Sequence, residues 1–239
     1  MAPRAWDTAG FHGKLPMRGD FITRHVPHPV VEALDGWLQE GVAASRDALG
    51  PAWLDLYLNA PVWHFAHAAG VAGPHAATGL MIPSVDRVGR YFPLLVLGPL
   101  LVLGPLPADG GVPGAGLATA AMAVADWRRR AERAALLALE EGVPFERFEE
   151  AVAALGAPAA QAPPGMPERA CAALAGEELG RRHGDRLALW WTEGTERVPS
   201  AMVALDGLPA PEGFAALLDG DWSRPGAAGA TIQIFEGAE

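Results

Sequence analysis

The amino-acid sequence predicts an α/β fold, a layered α-β-α sandwich with a mixed, largely antiparallel central sheet flanked by helices. Three observations predict it. Short apolar runs bounded by glycine and proline are interspersed with longer stretches of helical periodicity. Several of these runs follow one another closely enough to pair as hairpins. The helical stretches carry one apolar stripe each, which must be buried against a neighbouring layer.

Taken in order, Pro29 opens a helix in which Val31, Leu34, Trp37, Leu38, Val42 and Leu49 recur at helical spacing, and Gly50 ends it. Residues 51–59 predict a short helix with Trp53, Leu54 and Tyr57 turned inward, closed by Pro61. Residues 62–68, 78–82 and 91–97 read as strands, the last two antiparallel across the segment between them. Glycine and proline punctuate 100–116, an irregular loop. One long helix is then expected over 117–141, with Arg128, Arg129, Arg130 and Arg133 as a basic block opposite its apolar side. A helix at 145–155 precedes an Ala/Pro/Gly-rich linker at 156–167, the best candidate boundary. Beyond it come a helix at 168–179, strands at 186–192 and 200–205, a short helix at 211–220 stopped by Gly220, and a last strand at 230–235. The expected organisation is a single domain over 10–239, comprising an N-terminal module (10–155) and a tail (168–239) whose hairpin and helices dock on the same sheet.

Composition excludes several classes of function. Half of the 239 residues are hydrophobic and 19% are charged, the balance of a chain that buries a core. A formal charge of −10 opposes nonspecific nucleic-acid binding, which needs a basic face to displace phosphate counterions. Cys171 is the single cysteine, so an intrachain disulfide and Cys-based zinc sites are excluded. No apolar run resembles a leader or a membrane span, and the longest, 93–106, is interrupted by Gly98, Pro99, Gly104 and Pro105. A cytoplasmic protein without direct membrane insertion is expected.

Three segments are dense in charged and aromatic residues. Between Pro83 and Leu94 the sequence PSVDRVGRYFPL sets Ser84, Asp86, Arg87 and Arg90 on a turn between two apolar runs, with Gly89 available for positive φ. Upstream, GFHGKLPMRGDF (10–21) carries Lys14, Arg18 and Asp20; downstream, LWWTE (189–193) carries Trp190 and Trp191. In this order and spacing the segments resemble the TagF (ImpM) family of type VI secretion accessory proteins. The family pattern G-[FY]-x-G-K-[LV]-P-x-x-G-D-F matches at Gly10, Phe11, Gly13, Lys14, Leu15, Pro16, Gly19, Asp20 and Phe21. The pattern S-x-D-x-x-G-R-x-[FY]-P matches at Ser84, Asp86, Gly89, Arg90, Phe92 and Pro93, and W-W-x-x-G at Trp190, Trp191 and Gly194. The resemblance implies a compact fold comparable to longin-like domains. It also implies a post-translational brake on type VI secretion exerted by protein contacts, commonly with a forkhead-associated scaffold subunit, with no cofactor and no established catalysis.

The residues themselves allow other chemistries. A hydrolase acting on a phosphorylated or ester substrate would use Ser84, Asp86 and a histidine, His64 or His67, with Arg87 and Arg90 holding the anion. Ser84 lies outside a G-x-S-x-G elbow, however, and Asp86 is only two residues away, so a turn-forming serine is the plainer reading. His64 and His67 have metal-ligand spacing, but on a strand they face opposite sides. Lys14 is followed by Leu15 and Pro16 rather than the Ser or Thr of a phosphate loop. Phe11 and Phe21 are expected to anchor the first motif to the core, and salt bridges Arg18–Asp20 and Asp86–Arg87/Arg90 to pin the loops. Arg90, Tyr91, Trp190 and Trp191 are candidate partner contacts, since arginine and aromatic residues are enriched in interface hot spots. Strand alternation leaves at most one tryptophan of the pair free. The basic block offers a site for an acidic or phosphorylated peptide. A scaffold associated with a small GTPase is a further reading, on fold analogy alone.

Overall fold

The computed structural model describes residues 6–100, 115–159, 176–224, 226 and 231–235. One sheet of eight strands runs through them: β1 (Gly10–Gly13), β2 (Ile22–Arg24), β3 (Trp63–His67), β4 (Ala77–Ile82), β5 (Leu94–Pro99), β6 (Leu187–Thr192), β7 (Ser200–Asp206) and β8 (Thr231–Phe235), in the order β2-β1-β5-β4-β3-β6-β7-β8. Every pairing among them is antiparallel. The helices are α1 (His28–Leu49), α2 (Trp53–Leu58), α3 (Ala115–Ala123), α4 (Ala125–Leu137), α5 (Phe145–Ala153), α6 (176–183) and α7 (Ala216–Asp219).

The helices divide between the two faces, giving the three-layer sandwich. On one face Trp63, Phe65, Met81, Leu95, Leu97, Trp190 and Val203 pack against α1, α2 and α7. On the other, Ala66, Leu80, Ile82, Leu94, Val96 and Leu189 pack against α3, α4 and α5. Alternation along each strand produces this sorting, because successive side chains point to opposite faces. The expected separation of His64 from His67, and of Trp190 from Trp191, follows. His67 and Trp190 lie together on the α1 face, whereas His64 and Trp191 stack beneath α4.

Several local expectations need correction. The segment 10–24 contains two strands, which were not expected of so glycine-rich a stretch. Gly13 shows why glycine is required there: its φ is +138°, and a Cβ would lie 2.2 Å from the carbonyl oxygen of Pro93. The long helix is broken at Val124 (φ −106°, ψ 20°) into α3 and α4. The side chain of Arg128 donates to the carbonyl of Ala121 that the break exposes. Arg128 also lies over the Trp191 ring, 4.7 Å from its centroid, and Arg129 and Arg130 pair with Asp126, so the basic block is largely engaged within the protein. In α1 Val30 rather than Val31 is buried, and in α2 Leu54 faces outward. Residues 91–93 precede β5 instead of belonging to it, joined to Val85 only through a bridge at Tyr91. Most of the loop expected at 100–116, the linker at 156–167 and the helix at 168–179 falls outside the described residues.

Two indole N–H groups tie the tail to the first helices and strands. Trp37 Nε1 donates to the carbonyl of Pro209 and Trp63 Nε1 to that of Leu217, each at 2.8 Å. Among the described residues no helix is long and apolar enough to cross a membrane.

Candidate functional site

The first two motifs meet at one corner of the sheet. Asp86 is at its centre, with a side chain entirely removed from solvent. A buried carboxylate must have its lone pairs satisfied, and four donors do so. The amides of Val88 (3.0 Å) and Arg90 (2.9 Å) donate to Oδ1, while Lys14 Nζ (2.8 Å) and Arg90 Nε (2.6 Å) donate to Oδ2. Burial alone would push this carboxyl up, but the hydrogen bonds from Lys14, Arg90 and Val88 outweigh it and hold it well below the usual carboxylate range. The turn closes through Gly89, whose φ of +85° directs its N–H to the carbonyl of Asp86 at 3.0 Å.

Ser84 is similarly committed. Its hydroxyl donates to the carbonyl of Lys14 at 2.8 Å, its amide donates to Tyr57 Oη at 3.1 Å, and its carbonyl accepts from that phenol at 2.9 Å and from the Phe92 amide at 3.1 Å. Burial raises the pKa of the Tyr57 phenol far above its ordinary value, so it stays a hydrogen-bond donor. The remaining links between the loops run from the Arg87 amide to the carbonyl of Arg18 at 2.9 Å, and from Arg90 Nη2 to the carbonyl of Gly19. Lys14, Ser84 and Asp86 therefore bind the two loops to each other and are not exposed to a partner.

The ion pairs differ from those expected. Lys14 and Arg90, not Arg87, neutralise Asp86. Arg18 reaches Glu146 at 3.5 Å and stacks over Phe145 at 4.2 Å, leaving Asp20, which is exposed, without the predicted bridge. Phe11 does anchor the motif, edge-on to Phe148 at 4.8 Å. Phe21 does not: it is 47% exposed, lying over the Lys14 ammonium and against Phe92.

No histidine joins Ser84 and Asp86 among these contacts. His12, buried on β1, instead bonds Thr23 Oγ1 through Nδ1 (2.8 Å) and Asp35 Oδ1 through Nε2 (3.1 Å). The sequence reading overlooked this link, which pins edge strand β2 and helix α1 to β1; alternating polarity at His12 and Thr23 was its only trace. Trp190 is fully buried, whereas Trp191 is partly exposed between His64 and Arg128.

What the corner presents to solvent is Phe21, Arg87, Val88, the outer part of Arg90 and the edge of Tyr91. Beside it run two open depressions of about 480 and 360 Å³ that share Arg46 and Tyr91. Among the described residues no three His, Cys, Asp or Glu side chains are placed to hold a metal ion.

A direct check of the corner is the Asp86→Ala variant. Removing the carboxylate strands the buried Lys14 ammonium, so the thermal midpoint is expected to fall much further than for Asp55→Ala, which removes an exposed pair with Arg197. Parallel melts followed by circular dichroism provide the comparison.

The crystal structure of PA0076 from Pseudomonas aeruginosa PAO1 is similar, with a TM-score of 0.72 and 36% sequence identity over 97% of this chain and 100% of that one. No curated protein matches. The family model of the TagF N-terminal domain, type VI secretion system-associated, matches residues 10–155, the span holding both motifs of the corner. The chain therefore belongs to the TagF family of type VI secretion-associated proteins.

Proposed function

We propose that this protein is a non-enzymatic accessory factor that lowers type VI secretion activity after translation by binding a component of the machinery, with a forkhead-associated scaffold subunit as the expected partner. The observation that carries the proposal is the filled corner. A hydrolytic site needs a nucleophile and a base whose protons are free to move toward substrate. Here the Ser84 hydroxyl is directed to the Lys14 carbonyl and all four acceptor positions of Asp86 are occupied. The corner is built as a rigid mount, and its outward groups, arginine and aromatic, are those that recur in protein interfaces. The proposal treats 10–239 as one working unit acting in the cytoplasm, since β6 of the tail pairs directly with β3.

Deleting the gene is expected to raise secretion of the apparatus's own substrates severalfold while transcript levels of the secretion genes stay unchanged. Quantifying culture supernatants alongside transcripts checks this. Unchanged or lower secretion would refute repression.

A further inference from the structure

We infer that the groove along the second half of α1, between the motif corner and α2, is a docking site for an extended acidic segment of a partner protein, with Arg46 as the group that receives a carboxylate. The inference rests on the proposed binding function and names the surface and the chemistry of what it binds.

The groove is formed by two adjacent depressions that share Arg46 and Tyr91 as the residues between them. Phe21, Phe92, Tyr91, Trp53 and Leu54 form its apolar lining. Phe21 and Leu54 are 47% and 41% exposed, so each end offers an apolar contact not already used in the core. Tyr91 is held edge-on to both Trp53 and Tyr57 at 5.9 Å, which fixes the wall between the two ends.

Arg46 lies at the junction. Its guanidinium stacks over Trp53, 4.2 Å from the ring centroid, and it forms no ion pair within the described residues. A guanidinium covered on one face by an aromatic ring is already ordered and keeps its N–H edge for a forked contact with a carboxylate. Most other cations of this region are committed: Lys14 and Arg90 to Asp86, and Arg197 to Asp55.

Charge selects the occupant. The chain as a whole carries −10, so an acidic segment is repelled by most of its surface. The groove differs: Lys14 and Arg90 share the single carboxylate of Asp86, which leaves one positive charge at the corner, and Arg46 stands in the lining against one carboxylate, Asp47. The side chain of Arg87, on the neighbouring turn, adds a cation that makes no ion pair among the described residues. At physiological ionic strength charges are screened beyond roughly 8 Å, so this local balance, rather than the net charge, decides what settles there. The apolar ends favour a segment that alternates carboxylates with apolar side chains.

The test places a photo-crosslinking benzoylphenylalanine at position 54 in the full chain, expressed in its own cells, with position 139, exposed on the turn after α4, as control. Mass spectrometry of the adduct is expected to identify an unphosphorylated segment rich in Asp or Glu from another protein. Adding Arg46→Glu should reduce the crosslink at least fivefold, and Arg46→Gln, which retains cover over Trp53, should reduce it less. The inference is overturned by a yield no higher than at position 139, by a neutral, basic or phosphorylated segment, by a second copy of this chain, or by insensitivity to Arg46→Glu. If position 54 is silent while the chain still co-purifies with a secretion component, the groove is wrong and the regulatory function stands. If an acidic segment is captured from a protein outside the secretion machinery, the reverse holds.

Discussion

Truncating Trp190 to alanine is expected to destabilise the fold by about 3–5 kcal/mol, the range for deleting a fully buried large aromatic side chain, and to shift the urea midpoint accordingly. Its ring is fully buried on the α1 face, with centroids of Trp37, Phe65 and His67 at 5.3, 5.1 and 5.3 Å. These neighbours come from α1 and β3, and the backbone of Trp190 pairs with both Phe65 and Val203. The cavity would therefore open where a helix and three strands converge, and none of these elements can collapse into it alone. Trp191 provides the contrast. It is partly exposed between His64 and Arg128, so Trp191→Ala, which loses a partly buried ring and a cation–π contact, should cost clearly less than Trp190→Ala. A Trp190→Ala protein with the wild-type midpoint and lost partner binding would return Trp190 to the contact surface.

The second large effect is expected in acid. His67 is completely buried, stacked on Phe65 at 4.5 Å, and both of its ring nitrogens lack a partner among the described residues. Burial penalises the imidazolium and pushes its pKa from 6.5 down to about 3. Between these two values the unfolded chain holds the proton and the folded protein does not. The contribution is therefore fully present above pH 6.5 and is lost as pH falls toward 3. At pH 4.5 the loss from this residue alone is about 2–3 kcal/mol. Replacing it with leucine should flatten this part of the stability profile. At pH 7 the variant should be as stable as wild type or more so, because two unsatisfied polar atoms leave the core. Urea titrations at pH 7.0 and 4.5 on both proteins measure the difference. An acid limb unchanged in His67→Leu would place its origin elsewhere.

The two tests address the same cluster from opposite sides, and their contrast explains how a motif tryptophan differs from a motif arginine. Trp190 acts through the volume it fills. Arg90 acts through hydrogen bonds to Asp86 and the Gly19 carbonyl while over half of its side chain remains in solvent. Substituting Arg90 would therefore mix the loss of the mount with the loss of a contact, which is why Leu54 and Arg46 make the cleaner probes of docking.

Much of the architecture was present in local pattern. The stripe Leu34, Trp37, Leu38 and Val42 specifies α1 because helical spacing places those residues on one side, and all four are buried. Apolar runs bounded by glycine or proline locate β3, β4, β6 and β7, and period-two alternation alone separates His64 from His67 and Trp190 from Trp191. Such signals lie within a few residues, so sequence by itself determined them. Tertiary structure decided the rest. Which cation meets Asp86 depends on Lys14, 72 residues away, whereas the nearer Arg87 contributes its amide to the Arg18 carbonyl and makes no ion pair with Asp86. Strands β1 and β2 have little intrinsic strand character and exist because β5 pairs with β1. The break at Val124, the outward turn of Phe21 and Leu54, and the groove beside Arg46 are likewise consequences of packing between distant elements. The physical reason is common to all of them: periodicity is a property of neighbouring residues, whereas the satisfaction of a buried charge or the exposure of an apolar ring is settled only when remote segments compete for the same space.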